Sequence, residues 1–306
     1  MMAIARSLEE RGATVALAGG GPGQKFYQPN GYVVTEIPSV DYVRDFQGAS
    51  GPALGLVRIL NNSLPGTATR IEKLIQWLEE EDPDAVVTDD MFAALAATWV
   101  GVPLYVLTHN GSGLYRGSIV RLTTRWLTVA QRIAAERFFY PTVWPPHGSD
   151  PPGVSRVPPV ALRQRNDMDE YGPEDPGVVL VPSTYSTGFG ALADRLQDAG
   201  YTTTHVGRHD WDPVPAMLPI FRRAEVVVCA GYSTIMEASV AGTPCIIWPA
   251  TNEQTGVATR LQNLEGYEIV ESAEEVLDAL RSPMGRPDYP NGDRVVAERV
   301  LGDLAG

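Results

Sequence analysis

Apolar positions recur along this chain in two alternating periods. Met2, Ile4, Ala5 and Leu8 share one face while Glu9, Glu10 and Arg11 lie off it, which predicts a helix stopped by Gly12. Thr14–Ala18 and Tyr32–Ile37 read as strands, with the glycine-rich turn Gly19–Gly23 between them. Helical spacing returns over Leu54–Leu60 and Ala68–Glu81 and stops at Pro83. Then come a buried strand at Asp84–Thr88, a helix at Phe92–Val100, a strand at Leu104–Thr108 and a long helix at Ile119–Phe138. From Tyr140 to Pro159 seven prolines break the pattern. The alternation then restarts: strands at Val178–Val181, Thr202–Val206, Glu225–Cys229, Cys245–Trp248 and Glu268–Val270. Helices stand between and after them at Phe189–Asp198, Met217–Arg223, Thr234–Ala241, Gln254–Leu264, Ala273–Leu280 and Arg294–Leu304.

Strand and helix in strict turn predict an α/β fold of two Rossmann-like, doubly wound parallel sheets facing a cleft. The 306 residues suit two domains. The expected division is a first domain over 1–140, a proline-rich connection over 141–160, a second domain over 161–292 and a closing helix over 293–306. A doubly wound domain ordinarily opens with strand, turn and helix, and this chain opens in the helix. The expectation is that the first strand and its loop are missing from the N-terminal domain; a fold that simply starts with a helix is the other reading.

Composition narrows the function. With 24 Lys+Arg against 37 Asp+Glu the net charge is −13, which argues against nucleic acid as a partner. Only Lys25 and Lys73 are lysines, a halophilic composition that fits a salt-rich cytoplasm or, equally, a genome that favours arginine codons. Cys229 and Cys245 sit in apolar runs without metal-ligand spacing and read as core thiols of a reducing cytoplasm. No run of 18 apolar residues occurs, and the first helix carries acidic residues unlike a signal peptide.

The candidate chemistry lies between Glu225 and Gln254, which reads as strand, tight turn, helix, turn, strand, loop, helix. Gly231 would let a ligand approach the backbone, Ser233 would cap the following helix and Thr234 would stand in its first turn. Free N–H groups there suit a diphosphate. Glu237, one turn on, could accept hydrogen bonds from two vicinal hydroxyls such as a ribose offers. Asn252, Glu253 and Gln254 would reach the cleft edge and read sugar hydroxyls. The plain reading is a helix cap and a solvated carboxylate.

This stretch resembles the donor half of the GT-B glycosyltransferases, in particular the MurG-type N-acetylglucosaminyl transferases, with which it shares a Gly-x-Ser-Thr turn, Glu-Ala, Gly-x-Pro and a proline followed by Glu-Gln, from Gly231 to Gln254. The resemblance implies a nucleotide-sugar donor, uridine-linked and perhaps carrying N-acetylglucosamine, with its ribose on Glu237. It places the diphosphate at Ser233 and Thr234 beside Gly231 and Tyr232, and the sugar at Asn252 and Gln254. It puts the base near Val214 and Met217. The loop holding Ser183, Thr184, Ser186, Thr187 and Gly188 would add donors at the phosphates, with one glycine where relatives carry several. Where relatives often have His-Gly-Gly-His, this chain has Cys229-Ala-Gly-Tyr232. Relatives also open with a strand, a glycine loop and a histidine that this chain lacks.

The resemblance implies inversion, with an acceptor hydroxyl displacing the nucleoside diphosphate and helix N-termini stabilising the leaving charge. Asp89-Asp90 is not the spaced pair that bridges a metal, so neither metal nor cofactor is expected. A general base should come from the first domain, and Asp90 and His109 stand at strand ends facing the cleft. His109 in the turn His109-Asn110-Gly111 equally reads as structural, and Asp90 as a helix cap. The acceptor is unnamed; a lipid-linked one would bring the protein to the inner membrane face, through an apolar patch near Tyr115–Trp126 that also reads as core. A nucleotide-sugar 2-epimerase and a non-catalytic donor-binding half of a split transferase are the rival readings. A dinucleotide oxidoreductase has only Gly19–Gly23 behind it, which lacks the Gly-x-Gly-x-x-Gly spacing.

Overall fold

A computed structural model describes residues 1–20, 26–39, 64–109, 111–115, 118–165, 171–207 and 211–306. The helix expected at Leu54–Leu60, most of the turn Gly19–Gly23, and Asn110 lie outside them.

The elements of the first half are α1 (Met2–Glu9), β1 (Leu17–Gly19), β2 (Val34–Glu36), α2 (Leu64–Glu81), β3 (Val86–Thr88), α3 (Met91–Val100), β4 (Leu104–Leu107), α4 (Ser118–Ala134), β5 (Arg137–Pro141) and β6 (Ser155–Val157). β3, β4, β5 and β6 form a parallel sheet in that order, while β1 and β2 pair in parallel with each other. Both pieces pack on shared cores: Ala18 and Val86 on one, Val15 and Val87 on another.

The long helix expected over Ile119–Phe138 is corrected. It ends at Ala134, and Arg137–Pro141 is a strand whose last four residues are all buried. The run Arg-Phe-Phe-Tyr-Pro is apolar on both faces, as a strand inside a parallel sheet must be, so it shows no alternation to separate it from the helix before it. The proline-rich stretch also holds a strand, β6, hydrogen-bonded to β5 on the first sheet.

The second half contains β7 (Val178–Val181), α5 (Phe189–Asp198), β8 (Thr203–His205), α6 (Leu218–Arg223), β9 (Val226–Cys229), α7 (Tyr232–Ala241), β10 (Cys245–Ile247), α8 (Asn252–Leu261), β11 (Tyr267–Ile269), α9 (Ala273–Leu280) and α10 (Asp293–Ala305). Its five strands are parallel in the order β11-β10-β9-β7-β8. β7, β9 and β10 are runs of Val, Ile, Leu and Cys buried among α5, α7 and α9, which is why they read as continuous apolar segments. Chain order reverses between β9 and β7. The loops leaving these two strands therefore diverge to opposite faces and leave a crevice at their carboxyl ends.

The last helix returns to the first half. Asp293 of α10 accepts from Ser7 Oγ and from Arg163 Nε at 2.8 Å each, and Asp303 pairs with Arg137 at 2.6 Å. The halves meet again nearer the crevice. Gly256 of α8 lies so close to the turn Ser112–Leu114 that a Cβ there would fall 1.9 Å from the Leu114 carbonyl oxygen. Asp150 of the proline-rich stretch faces Arg260 of α8 at 3.7 Å.

Candidate active site

Val181 of β7 lies beside Cys229 of β9, so the loops after them stand side by side at the crevice. The loop after β9 turns directly into α7. Its N-cap is Gly231, with no side-chain cap, and the helix begins at Tyr232. This corrects the expected role of Ser233: it sits inside the first turn and caps nothing. Its hydroxyl is exposed and Thr234 follows half-buried, so the free N–H groups of the helix start remain open to an anion. In front of Gly231 there is open space, since a Cβ would meet nothing within 4 Å.

The loop after β7 folds on its own hydroxyls. Ser186 Oγ accepts from the Ser183 amide at 3.0 Å and shares a proton with Ser183 Oγ at 2.9 Å. Thr184 and Thr187 are exposed. Gly188 caps α5 with φ +88°, a left-handed conformation natural to glycine, and again no side chain closes the helix start. Two uncapped helix N-termini thus flank one crevice.

Glu237 stands one turn into α7. It is half-buried and makes no hydrogen bond or ion pair with any described residue. Burial pushes its carboxyl up to about 7, against the pull of the Met1 amino group. A buried carboxylate without a partner costs free energy, so something outside the chain is its natural partner. Close by, Tyr171 Oη bridges the Ala216 amide and carbonyl at 2.9 Å each, fixing the loop that carries Val214 and Met217, both partly buried.

The α8 residues divide. Asn252 is exposed. Gln254 is buried, and its side-chain carbonyl accepts from Ala250 N at 2.8 Å and Thr251 N at 3.2 Å, while Thr251 caps the Gln254 amide. That is a capping box. Gln254 therefore holds the loop in shape and has only its amide NH2 left for a ligand. Glu253 points across the crevice, with Oε1 3.1 Å from His109 Nε2.

His109 follows β4 and its ring lies 4.5 Å from the Tyr232 ring. Tyr232 Oη accepts from the Val143 amide at 3.2 Å and donates to the Pro141 carbonyl at 3.1 Å. The first residue of the uncapped helix is therefore pinned to the end of β5. Asp90, the other candidate base, caps α3: Oδ1 accepts from Phe92 N at 2.6 Å and Oδ2 pairs with Arg70. Both its oxygens are engaged. Sequence reasoning placed His109 and Glu253 separately; nothing in residues 144 apart signals that they meet.

Two parallel α/β sheets about a crevice lined by helix N-termini define the GT-B fold, and the chain has it. Among solved structures it resembles the glycosyltransferase SsfS6 of Streptomyces sp. SF2575, with a TM-score of 0.62 and 17% identity over 99% of this chain and 90% of that one. The spinosyn rhamnosyltransferase SpnG matches with a TM-score of 0.61 and 14% identity, over 99% and 91% of the two chains. MurG of Acinetobacter baumannii matches with a TM-score of 0.55 and 15% identity, over 98% and 94%. No protein-family model and no curated protein sequence matches the chain.

Proposed function

We propose that this chain is a glycosyltransferase that moves a hexosyl group from a pyrimidine nucleoside diphosphate to an acceptor hydroxyl with inversion. One observation carries the reading: Glu237, a half-buried carboxylate without a partner, stands one turn beyond the uncapped start of α7. Ribose hydroxyls supply the missing donors for Glu237. The diphosphate takes the free amides of α7, with the Ser183–Gly188 loop beside it, and the base lies against Val214 and Met217. SsfS6 and SpnG have each been solved with thymidine diphosphate, which supports a pyrimidine nucleotide in a fold of this kind. Uridine offers two ribose hydroxyls and thymidine one, so Glu237 favours uridine.

His109 is the base in this reading, since both oxygens of Asp90 are engaged. Glu253 accepts the Nε2 proton and leaves Nδ1, which has no partner among the described residues, to take the acceptor proton. The acceptor oxygen bonds to the anomeric carbon as the bond to the diphosphate breaks. The leaving nucleoside diphosphate keeps the electron pair, at a helix start whose N–H groups favour negative charge. Glu253 is then the residue that orients the base, and Asn252 is left to read the sugar.

The test is incubation with uridine and thymidine diphosphate sugars and a panel of hydroxyl acceptors, followed by product analysis. Free nucleoside diphosphate together with a glycoside of inverted anomeric configuration supports the proposal. An isomerised donor replaces it with the epimerase, and tight donor binding with no turnover on any acceptor replaces it with a donor-binding half.

A further inference from the structure

Helix α4 is built inside out. The residues it buries are Thr124, Thr128 and Gln131, with Thr128 Oγ1 donating to the Thr124 carbonyl at 2.8 Å. On the opposite side Leu122, Trp126 and Ile133 are 57%, 67% and 72% exposed. At about 100° per residue these three fall within one narrow stripe, diametrically across from the buried threonines. Neighbouring α3 extends the stripe with Leu95 and Trp99, the latter 80% exposed. An ordinary surface helix turns such residues inward, and an apolar stripe this continuous marks a contact surface.

Charge identifies what it contacts. Arg121, Arg125 and Arg132 line one flank of the α4 stripe, exposed and without an ion pair to any described residue. Between Asp90 and Glu136 the sequence contains no acidic residue at all, in a chain with 37 of them and a net charge of −13. A second copy of this surface would bring arginines against arginines and no carboxylates, so self-association is disfavoured. We infer that α3 and α4 form a docking surface for an anionic lipid bilayer: Trp99, Trp126, Leu122 and Ile133 enter the headgroup boundary and the arginine row meets lipid phosphates. Among the described residues no helix is long and apolar enough to cross a membrane, so the contact lies on the surface. The N-terminal end of α4 points toward the same side of the first sheet as His109, so a docked chain presents its crevice to a lipid-borne hydroxyl acceptor. That last consequence rests on the proposed function; the docking does not.

Cosedimentation of the full chain with vesicles tests the docking without reference to activity. Binding is expected to phosphatidylglycerol–phosphatidylcholine vesicles and not to phosphatidylcholine alone, with a loss of about tenfold or more at high salt. Arg121→Glu/Arg125→Glu and Leu122→Ser/Trp126→Ser should each weaken it about tenfold or more while leaving Tm unchanged, since all four side chains are exposed. Equal binding to both vesicle types, or none to either, overturns the inference. So does a concentration-dependent dimer that Leu122→Ser/Trp126→Ser abolishes in the absence of vesicles.

Discussion

Tyr232 and His109 stack across the junction of the two halves, their rings 4.5 Å apart, although one opens a helix of the second half and the other ends a strand of the first. The Tyr232 hydroxyl is anchored at the same time to Val143 N and Pro141 O. Tyr232→Phe keeps the stack and removes both hydrogen bonds, leaving a buried amide and a carbonyl without a partner. The expected loss is about 1–3 kcal/mol of stability, read as a fall in Tm. Activity should fall mainly in kcat, because the phenyl ring still supports His109 while its height above the helix start is no longer fixed. A fall in donor affinity with kcat unchanged would place Tyr232 on the donor alone.

Glu237 links binding to pH. Its folded pKa of about 7 lies above the ordinary value of 4.5, so the folded chain holds this proton more tightly than the unfolded chain. Stability from this group is complete below about pH 4.5 and is lost as pH rises through 7. Glu237→Gln should therefore stabilise the free protein at pH 8 by about 1–3 kcal/mol, the difference vanishing toward pH 4.5. Donor binding runs the other way, since ribose hydroxyls need the ionised carboxylate. Affinity for a uridine diphosphate sugar should rise as pH passes 7 and then level off. Glu237→Gln should bind more weakly by about 1.5–3 kcal/mol, with no such rise. Calorimetry across this pH range measures both, and a pH-independent affinity in the unaltered protein would remove Glu237 from the ribose.

Glu253 distinguishes two roles for the crevice wall. As the partner of His109 Nε2 it steadies the imidazolium formed when the acceptor proton is taken. Glu253→Gln should then lower kcat by about 10²–10⁴, as should His109→Ala, with little change in the KM for donor. The double variant should be no worse than the poorer single one, because the pair works as a unit. A raised donor KM with kcat intact would instead assign Glu253 to the sugar hydroxyls.

Legibility in the sequence followed the physics of each segment. β9, the turn at Gly231 and α7 were readable because a double-faced apolar strand, a glycine and a short helix each leave a local mark. Ser233 was misplaced by the smallest of margins: the helix starts at Tyr232, and Gly231 takes the capping position. Thr251 and Gln254 do show the capping-box spacing in the sequence, which competes with a sugar-facing role for the same amide. The Tyr232 anchor and the His109–Glu253 pair had no local mark, since each joins segments that only the fold brings together. α4 was legible as a helix but not in its orientation, because an apolar stripe predicts a buried face and here the stripe is outside.

Gly256 tests the joint between the halves. In a helix interior, glycine to alanine ordinarily stabilises by about 1 kcal/mol. At this position the new Cβ would stand 1.9 Å from the Leu114 carbonyl oxygen, and backbone on both sides leaves no flexible end to give way. The turn Ser112–Leu114 must move off α8 to admit it. Gly256→Ala is therefore expected to destabilise by about 1–3 kcal/mol, the reverse of the helical trend. The displaced turn follows His109 within a few residues and α8 carries Glu253, so the 3.1 Å contact between them should lengthen as well. Thermal melts and kcat should fall together, while donor affinity, set by α7 and the loop after β7, should stay near its original value. A variant with raised Tm and full activity would show that the two halves do not meet at Gly256 in solution.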